Sequence, residues 1–122
     1  MRAFQREAVD IGRALSRRGP TDPAVVRALT RTAIRRAFGA RAGQVLLFGS
    51  RARGDHRPDS DWDVAVLLTG ARRAWLDAVA AGDVRTALLD DTGELVDVVT
   101  LEPEDLARTP LGAAIRRDGV PL

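Results

Sequence analysis

The sequence predicts an α/β fold in which a small β-sheet is flanked by helices. Two observations carry that prediction. Three apolar runs of strand length, at residues 44–48, 63–68 and 94–101, are rich in valine and leucine. The stretches before, between and after them repeat apolar residues at helical spacing. The resulting order is helix, helix, strand, strand, helix, strand, helix.

From the N-terminus, Phe4, Ala8, Ile11 and Leu15 recur at spacings of four, three and four, an amphipathic helix stopped by Gly19-Pro20. A second helix starts at the Asp22-Pro23 cap and runs to Phe38. Its apolar side is Val26, Leu29, Ala33, Ile34, Ala37 and Phe38, and Gly39 is its stop. The first strand, residues 44–48, leads into a Gly49-Ser50 turn. The second, residues 63–68, is ended by Thr69-Gly70. Residues 71–91 are helical through Trp75, Leu76, Val79, Val84 and Leu88, with a break expected at Gly82-Asp83. The third strand covers residues 94–101. Pro103-Glu104-Asp105-Leu106 reads as a helix start, and residues 111–117 as a further helical turn before Gly119. The fourteen residues from 49 to 62 can hold a short helix or a simple reversal, which leaves the relative direction of the first two strands open. The expected domain division is an N-terminal helical extension over residues 1–20 and one domain over residues 21–122.

A chain of 122 residues fits a single domain that buries about two-thirds of its unfolded surface. With 45% hydrophobic and 30% charged residues the composition is that of a soluble globular protein. No apolar stretch approaches the roughly 20 residues of a membrane span. The first residues lack the apolar core and cleavage site of a signal peptide, so a cytoplasmic location is expected. Cysteine is absent, which excludes disulfides, thiolate metal sites and cysteine nucleophiles. All nineteen basic residues are arginine, most simply a mark of a GC-rich genome; at a net charge of +2 they do not indicate direct nucleic-acid binding. Arg27, Arg31 and Arg35, four residues apart, read as a solvated helix face, with contact to acidic groups or nucleic acid as the alternative. His56 reads as a solvated loop residue.

The chemistry concentrates in residues 49–63, Gly-Ser-Arg-Ala-Arg-Gly-Asp-His-Arg-Pro-Asp-Ser-Asp-Trp-Asp, set between two apolar runs. Gly49 lets the backbone approach a phosphate, amides at a turn point towards an anion, and the Ser50 hydroxyl adds a donor. Arg51 and Arg53 follow at once and are suited to phosphate oxygens. Side chains two apart on a strand point the same way, so Asp61 and Asp63 face one side. Asp97 is the one acid inside the apolar run Leu95-Val96-Asp97-Val98-Val99, and a buried carboxylate needs a partner or a cation. If the second and third strands are neighbours, Asp97 joins Asp61 and Asp63. Like charges about 4 Å apart repel by roughly 4 kcal/mol at an effective dielectric of 20, and Mg²⁺ with its hard oxygen ligands is the natural compensation.

Gly49-Ser50, ten intervening residues and Asp61-x-Asp63 resemble the signature of the DNA polymerase β-like nucleotidyltransferase superfamily. The fuller strings Leu47-Phe48-Gly49-Ser50-Arg51-Ala52-Arg53-Gly54 and Ser60-Asp61-Trp62-Asp63-Val64 are similar to its minimal nucleotidyltransferase (MNT) branch. The likeness runs from about Val26 to the C-terminus, including the closing Asp118-Gly119-Val120. It implies a small mixed sheet flanked by helices. It further implies that Gly49, Ser50, Arg51 and Arg53 hold the nucleoside triphosphate, that Asp61, Asp63 and Asp97 bind Mg²⁺, as two ions, and that Asp97 helps deprotonate the attacking hydroxyl.

Members of that branch pair with a separate helical HEPN ribonuclease toxin in a hetero-oligomer and transfer AMP from ATP to a tyrosine of it. The resemblance therefore implies an antitoxin acting as a Mg-dependent protein adenylyltransferase. The present chain contains no tyrosine, so a tyrosine acceptor lies on another molecule. Two alternatives accompany this reading: nucleotidyl transfer to a small molecule such as an aminoglycoside, and a non-catalytic antitoxin that acts by binding alone.

Overall fold

A four-stranded sheet organises the described residues. The computed structural model describes residues 21–122; the helical extension expected over residues 1–20 lies outside them. Helix α1 (Pro23–Phe38) and a 3₁₀ turn (Gly39–Arg41) lead into β1 (Ala42–Phe48) and the short helix α2 (Ser50–Arg53). Strand β2 (Trp62–Leu68), helix α3 (Ala74–Thr92) and strand β3 (Val96–Leu101) follow. Helices α4 (Asp105–Arg108) and α5 (Pro110–Asp118) and strand β4 (Val120–Pro121) complete the chain.

The direction left open by the sequence is antiparallel for β1 and β2, which pair Val45 with Val66 and Phe48 with Asp63. Strands β2 and β3 run parallel, joined by α3 as the crossover that parallel strands require. The sheet is therefore mixed. Strand β4, which the sequence left unassigned, is two residues long and pairs Val120 with Leu47 at the edge of β1. An edge is where a strand tolerates Pro121, which has no N–H to donate.

Local signals explain most boundaries. Asp22 caps α1 by accepting from the Ala24 amide at 2.9 Å, with Pro23 in the first turn. Thr109 caps α5 in the same way, accepting from the Gly112 amide at 2.9 Å. The break expected at Gly82-Asp83 is absent: α3 is continuous from Ala74 to Thr92. A glycine inside a helix costs about 0.5–1 kcal/mol relative to alanine. Val84 and Leu88, at 2% and 1% exposure just beyond it, each return about 1.5–3 kcal/mol by burial. Packing wins. The start of α3 is held by Asp77, which accepts from the Arg73 amide at 3.2 Å and from Arg41 at 2.6 and 3.1 Å.

Both sheet faces are covered. On one, α1 and α3 bury Val26, Ile34, Phe38, Val84 and Leu88 against Leu47, Trp62, Val64, Val66, Val96 and Val98. On the other, Ile115 of α5 packs with Ala65, Leu67 and Leu101. Strand β2 is buried on both sides, which is why its sequence is continuously apolar after Asp63. Asp63 is the second residue of that central strand and is half-buried.

Candidate active site

Gly49 closes β1 and precedes α2 with φ 74° and ψ −156°. This is backbone that side chains avoid, and a Cβ built there would lie 2.5 Å from Oδ2 of Asp63. The position therefore requires glycine on two counts, conformation and the approach of the acid. Ser50 opens α2, and the first amides of a helix have no partner within it. The turn stands beside the acidic start of β2.

Register brings two of the three acids together. Asp63 stands directly opposite Asp97 across the parallel pair β2–β3, on the face shared with Ala65 and Leu67. Asp61 lies one residue before β2 and is exposed, whereas Trp62 between them turns into the core at 3% exposure. Burial pushes the Asp63 carboxyl above the usual carboxylate range, and the charges of Asp97 and Asp61 push it the same way, against Arg53. The acids thus sense one another.

They do not yet ring a common point. Among the described residues no three His, Cys, Asp or Glu side chains form a ready ion site, and the Asp97 carboxylate is paired with Arg85 of α3. Arg85 carried no signal in the sequence; it is one of many arginines on helix surfaces. The donor set nonetheless fits a hard divalent cation: it is all carboxylate oxygen, and its central member is held above its ordinary range by burial first and by its acidic neighbours second.

The two arginines of the loop have different surroundings. Arg53 is 42% exposed beside the acids, and its guanidinium pairs with Asp55 at 3.0 Å and Asp118 at 2.8 Å. Asp118, at the end of α5, also takes Arg117 at 3.0 Å, and these partners lower its carboxyl pKa, Arg117 foremost. In the sequence Asp118 stands out only as part of the closing stretch. Arg51, expected to face triphosphate, is instead turned inward. It donates to the carbonyls of Ser60 and Pro58 and stacks 4.5 Å above the Trp62 ring. The buried donors are consumed by the protein itself. His56 is exposed, as expected. Arg27 and Arg31 of the helix row donate to the carbonyls of Pro121 and Leu122 at 3.0 and 2.7 Å, fastening α1 to the chain end.

Residues 40–120 match the family described as polymerase beta, nucleotidyltransferase. Among solved structures, one described as a candidate minimal nucleotidyltransferase is 29% identical, covering 83% of this chain and 96% of its own with a TM-score of 0.57. A toxin–antitoxin complex with AMP-PNP is similar at 20% identity, covering 75% of this chain and 68% of that one with a TM-score of 0.54. A tri-AMPylated HEPN toxin of Shewanella oneidensis in complex with its MNT antitoxin is similar at 19% identity, covering 79% and 70% with a TM-score of 0.50. For these last two the likeness is one of fold. No curated protein matches the sequence. The match spans the glycine turn, all three acids and strands β1, β2 and β3, and the chain belongs to the polymerase beta nucleotidyltransferase family.

Proposed function

We propose that residues 21–122 form an MNT domain that transfers AMP from ATP to a tyrosine of a HEPN-type toxin and thereby silences it. The observation that carries the reading is the register of Asp63 against Asp97 with Gly49 pressed on Asp63, which puts a phosphate turn and an acid pair at one sheet end. The fold likeness to an MNT antitoxin bound to a tri-AMPylated HEPN toxin supports the choice of acceptor. The likeness to a toxin–antitoxin complex with AMP-PNP supports the choice of nucleotide.

In this reading the Ser50 hydroxyl and the amides opening α2 bind the β- and γ-phosphates, and Arg53, steadied by Asp118, neutralises part of their charge. The tyrosine hydroxyl attacks the α-phosphorus, a new O–P bond forms, the bond to the β-phosphate oxygen breaks, and pyrophosphate leaves. Asp97 accepts the hydroxyl proton, for which it must release Arg85. Asp61, Asp63 and Asp97 would hold Mg²⁺, which would supply the positive charge that the acids and phosphates need to share one site.

The test is incubation of the chain with α-labelled ATP, Mg²⁺ and a candidate HEPN-type protein. Label is expected on a tyrosine of that protein, and the Asp61→Ala, Asp63→Ala double variant is expected to transfer none. A double variant that silences the toxin as well as the parent chain does would refute catalysis as the mechanism and leave binding alone.

A further inference from the structure

Arg51 keeps only 5% of its side chain exposed. A buried cation is tolerated when its donors are satisfied and its charge is met, so the groups that satisfy it identify its work. Its Nε and Nη2 both donate to the Ser60 carbonyl, at 3.1 and 2.9 Å, and Nη2 also donates to the Pro58 carbonyl at 3.1 Å. Nη2 lies 3.6 Å from Oε1 of Glu94, and the guanidinium carbon lies over Trp62, 4.5 Å from the ring centroid. The Trp62 indole N–H donates to the same Glu94 oxygen at 3.2 Å, and the Trp62 amide donates to the Leu95 carbonyl at 2.9 Å.

Each contact falls one to three residues from a candidate functional group. Arg51 follows Ser50; Ser60 precedes Asp61; Trp62 separates Asp61 from Asp63; Glu94 stands three residues before Asp97. Asp63 and Asp97 are fixed by the strand ladder. Asp61 lies outside any strand, so its place depends on how the Ser60 carbonyl and the Trp62 ring are held. Both are held by Arg51.

We infer that Arg51, Trp62 and Glu94 are positioning residues, a buried clamp under the sheet end that sets the spacing of the phosphate turn, Asp61 and Asp97, and that Arg51 does not touch the triphosphate. The inference rests on the proposed reading of Asp61, Asp63 and Asp97 as metal ligands. Lysine cannot replace Arg51, because an ammonium lacks the planar fork that bonds one carbonyl through two nitrogens while stacking on a ring.

The test measures Mn²⁺ binding to the full chain by calorimetry without nucleotide, alongside thermal melting in EDTA. Arg51→Lys is expected to weaken Mn²⁺ binding about tenfold, the usual scale for groups that orient metal ligands. Trp62→Phe, which keeps the ring and loses the N–H, and Glu94→Gln, which keeps an acceptor and loses the charge, are expected to weaken it less while staying folded. Wild-type Mn²⁺ affinity in folded variants that merely melt earlier would overturn the inference. So would an Arg51→Lys chain with normal Mn²⁺ affinity and weakened ATP binding at saturating metal. Should Arg51→Lys fail to fold, Trp62→Phe decides. Asp61→Asn and Asp63→Asn separate the two levels: if they bind Mn²⁺ like the parent, the metal reading itself fails and the clamp with it. If they lose it while the clamp variants do not, only the clamp fails.

Discussion

Asp63 and Asp97 face each other across two parallel strands, two acids in register near the start of both. Burial and its acidic neighbours hold the Asp63 carboxyl above the usual range. An acid whose pKa is raised on folding favours the folded state below its unfolded pKa and loses that contribution as pH rises through the folded value. In EDTA, Asp63→Asn is therefore expected to melt a few degrees above the parent at pH 7, with the gap closing as pH falls to the unfolded carboxylate range near 4. Nucleotidyl transfer by the same variant is expected to be lost. A parent that melts no lower than Asp63→Asn at pH 7 would show that the acids are not in conflict.

Gly49 meets Asp63 from the other side. Gly49→Ala places a Cβ 2.5 Å from the Asp63 carboxylate on left-handed backbone. The expected cost is about 1–3 kcal/mol of stability, read by denaturant unfolding. Because the turn must shift, transfer should fall by at least ~100-fold, the scale associated with an ångström of misplacement. An alanine variant with parental activity would mean that the turn does not hold the nucleotide.

Asp118 reaches the loop from the last helix through Arg53. Asp118→Asn keeps the shape and removes the charge, so Arg53 is left with Asp55 as its ionic partner and is held less firmly. The expected result is a KM for ATP raised about three- to tenfold with kcat changed little, since one phosphate contact is loosened. Steady-state kinetics against ATP at saturating acceptor reads the split.

Asp77 belongs to the opposite end of the molecule and tests the fold alone. It is 5% exposed, takes two hydrogen bonds from Arg41, and its carboxyl is held below the usual range, by Arg41 first. Asp77→Asn is expected to cost about 2 kcal/mol at pH 7, the range of a hydrogen bond to a charged group. A lowered carboxyl pKa contributes stability above the unfolded value that is lost as pH falls through the folded one. The difference between parent and variant should therefore shrink below about pH 4, while transfer per folded molecule stays unchanged.

Much of the molecule was legible in the chain. The Asp22-Pro23 cap, the three apolar runs and the isolated Asp97 are local patterns with local causes, and each places its element or its acid without reference to the rest. The Gly82 break misled because its cost is local, while the burial of Val84 and Leu88 that outweighs it is not. Strand β4 was missed because two residues hold no periodicity; only the edge of β1 makes Val120-Pro121 a strand. Arg51 and Arg53 read alike in sequence, two identical side chains two residues apart. One turns under the sheet and the other remains at the surface, because only the first lies within reach of Trp62 and the Ser60 carbonyl.

By itself, then, the sequence determined the α/β class, the glycine turn and the three acids, since those follow from residue type and spacing along one chain. The tertiary structure decided the rest: the strand directions, the register that sets Asp63 against Asp97, the pairing of Asp97 with Arg85, and the separate tasks of the two loop arginines. These are contacts between segments distant in sequence. They depend on which faces are buried together, and no local pattern records that.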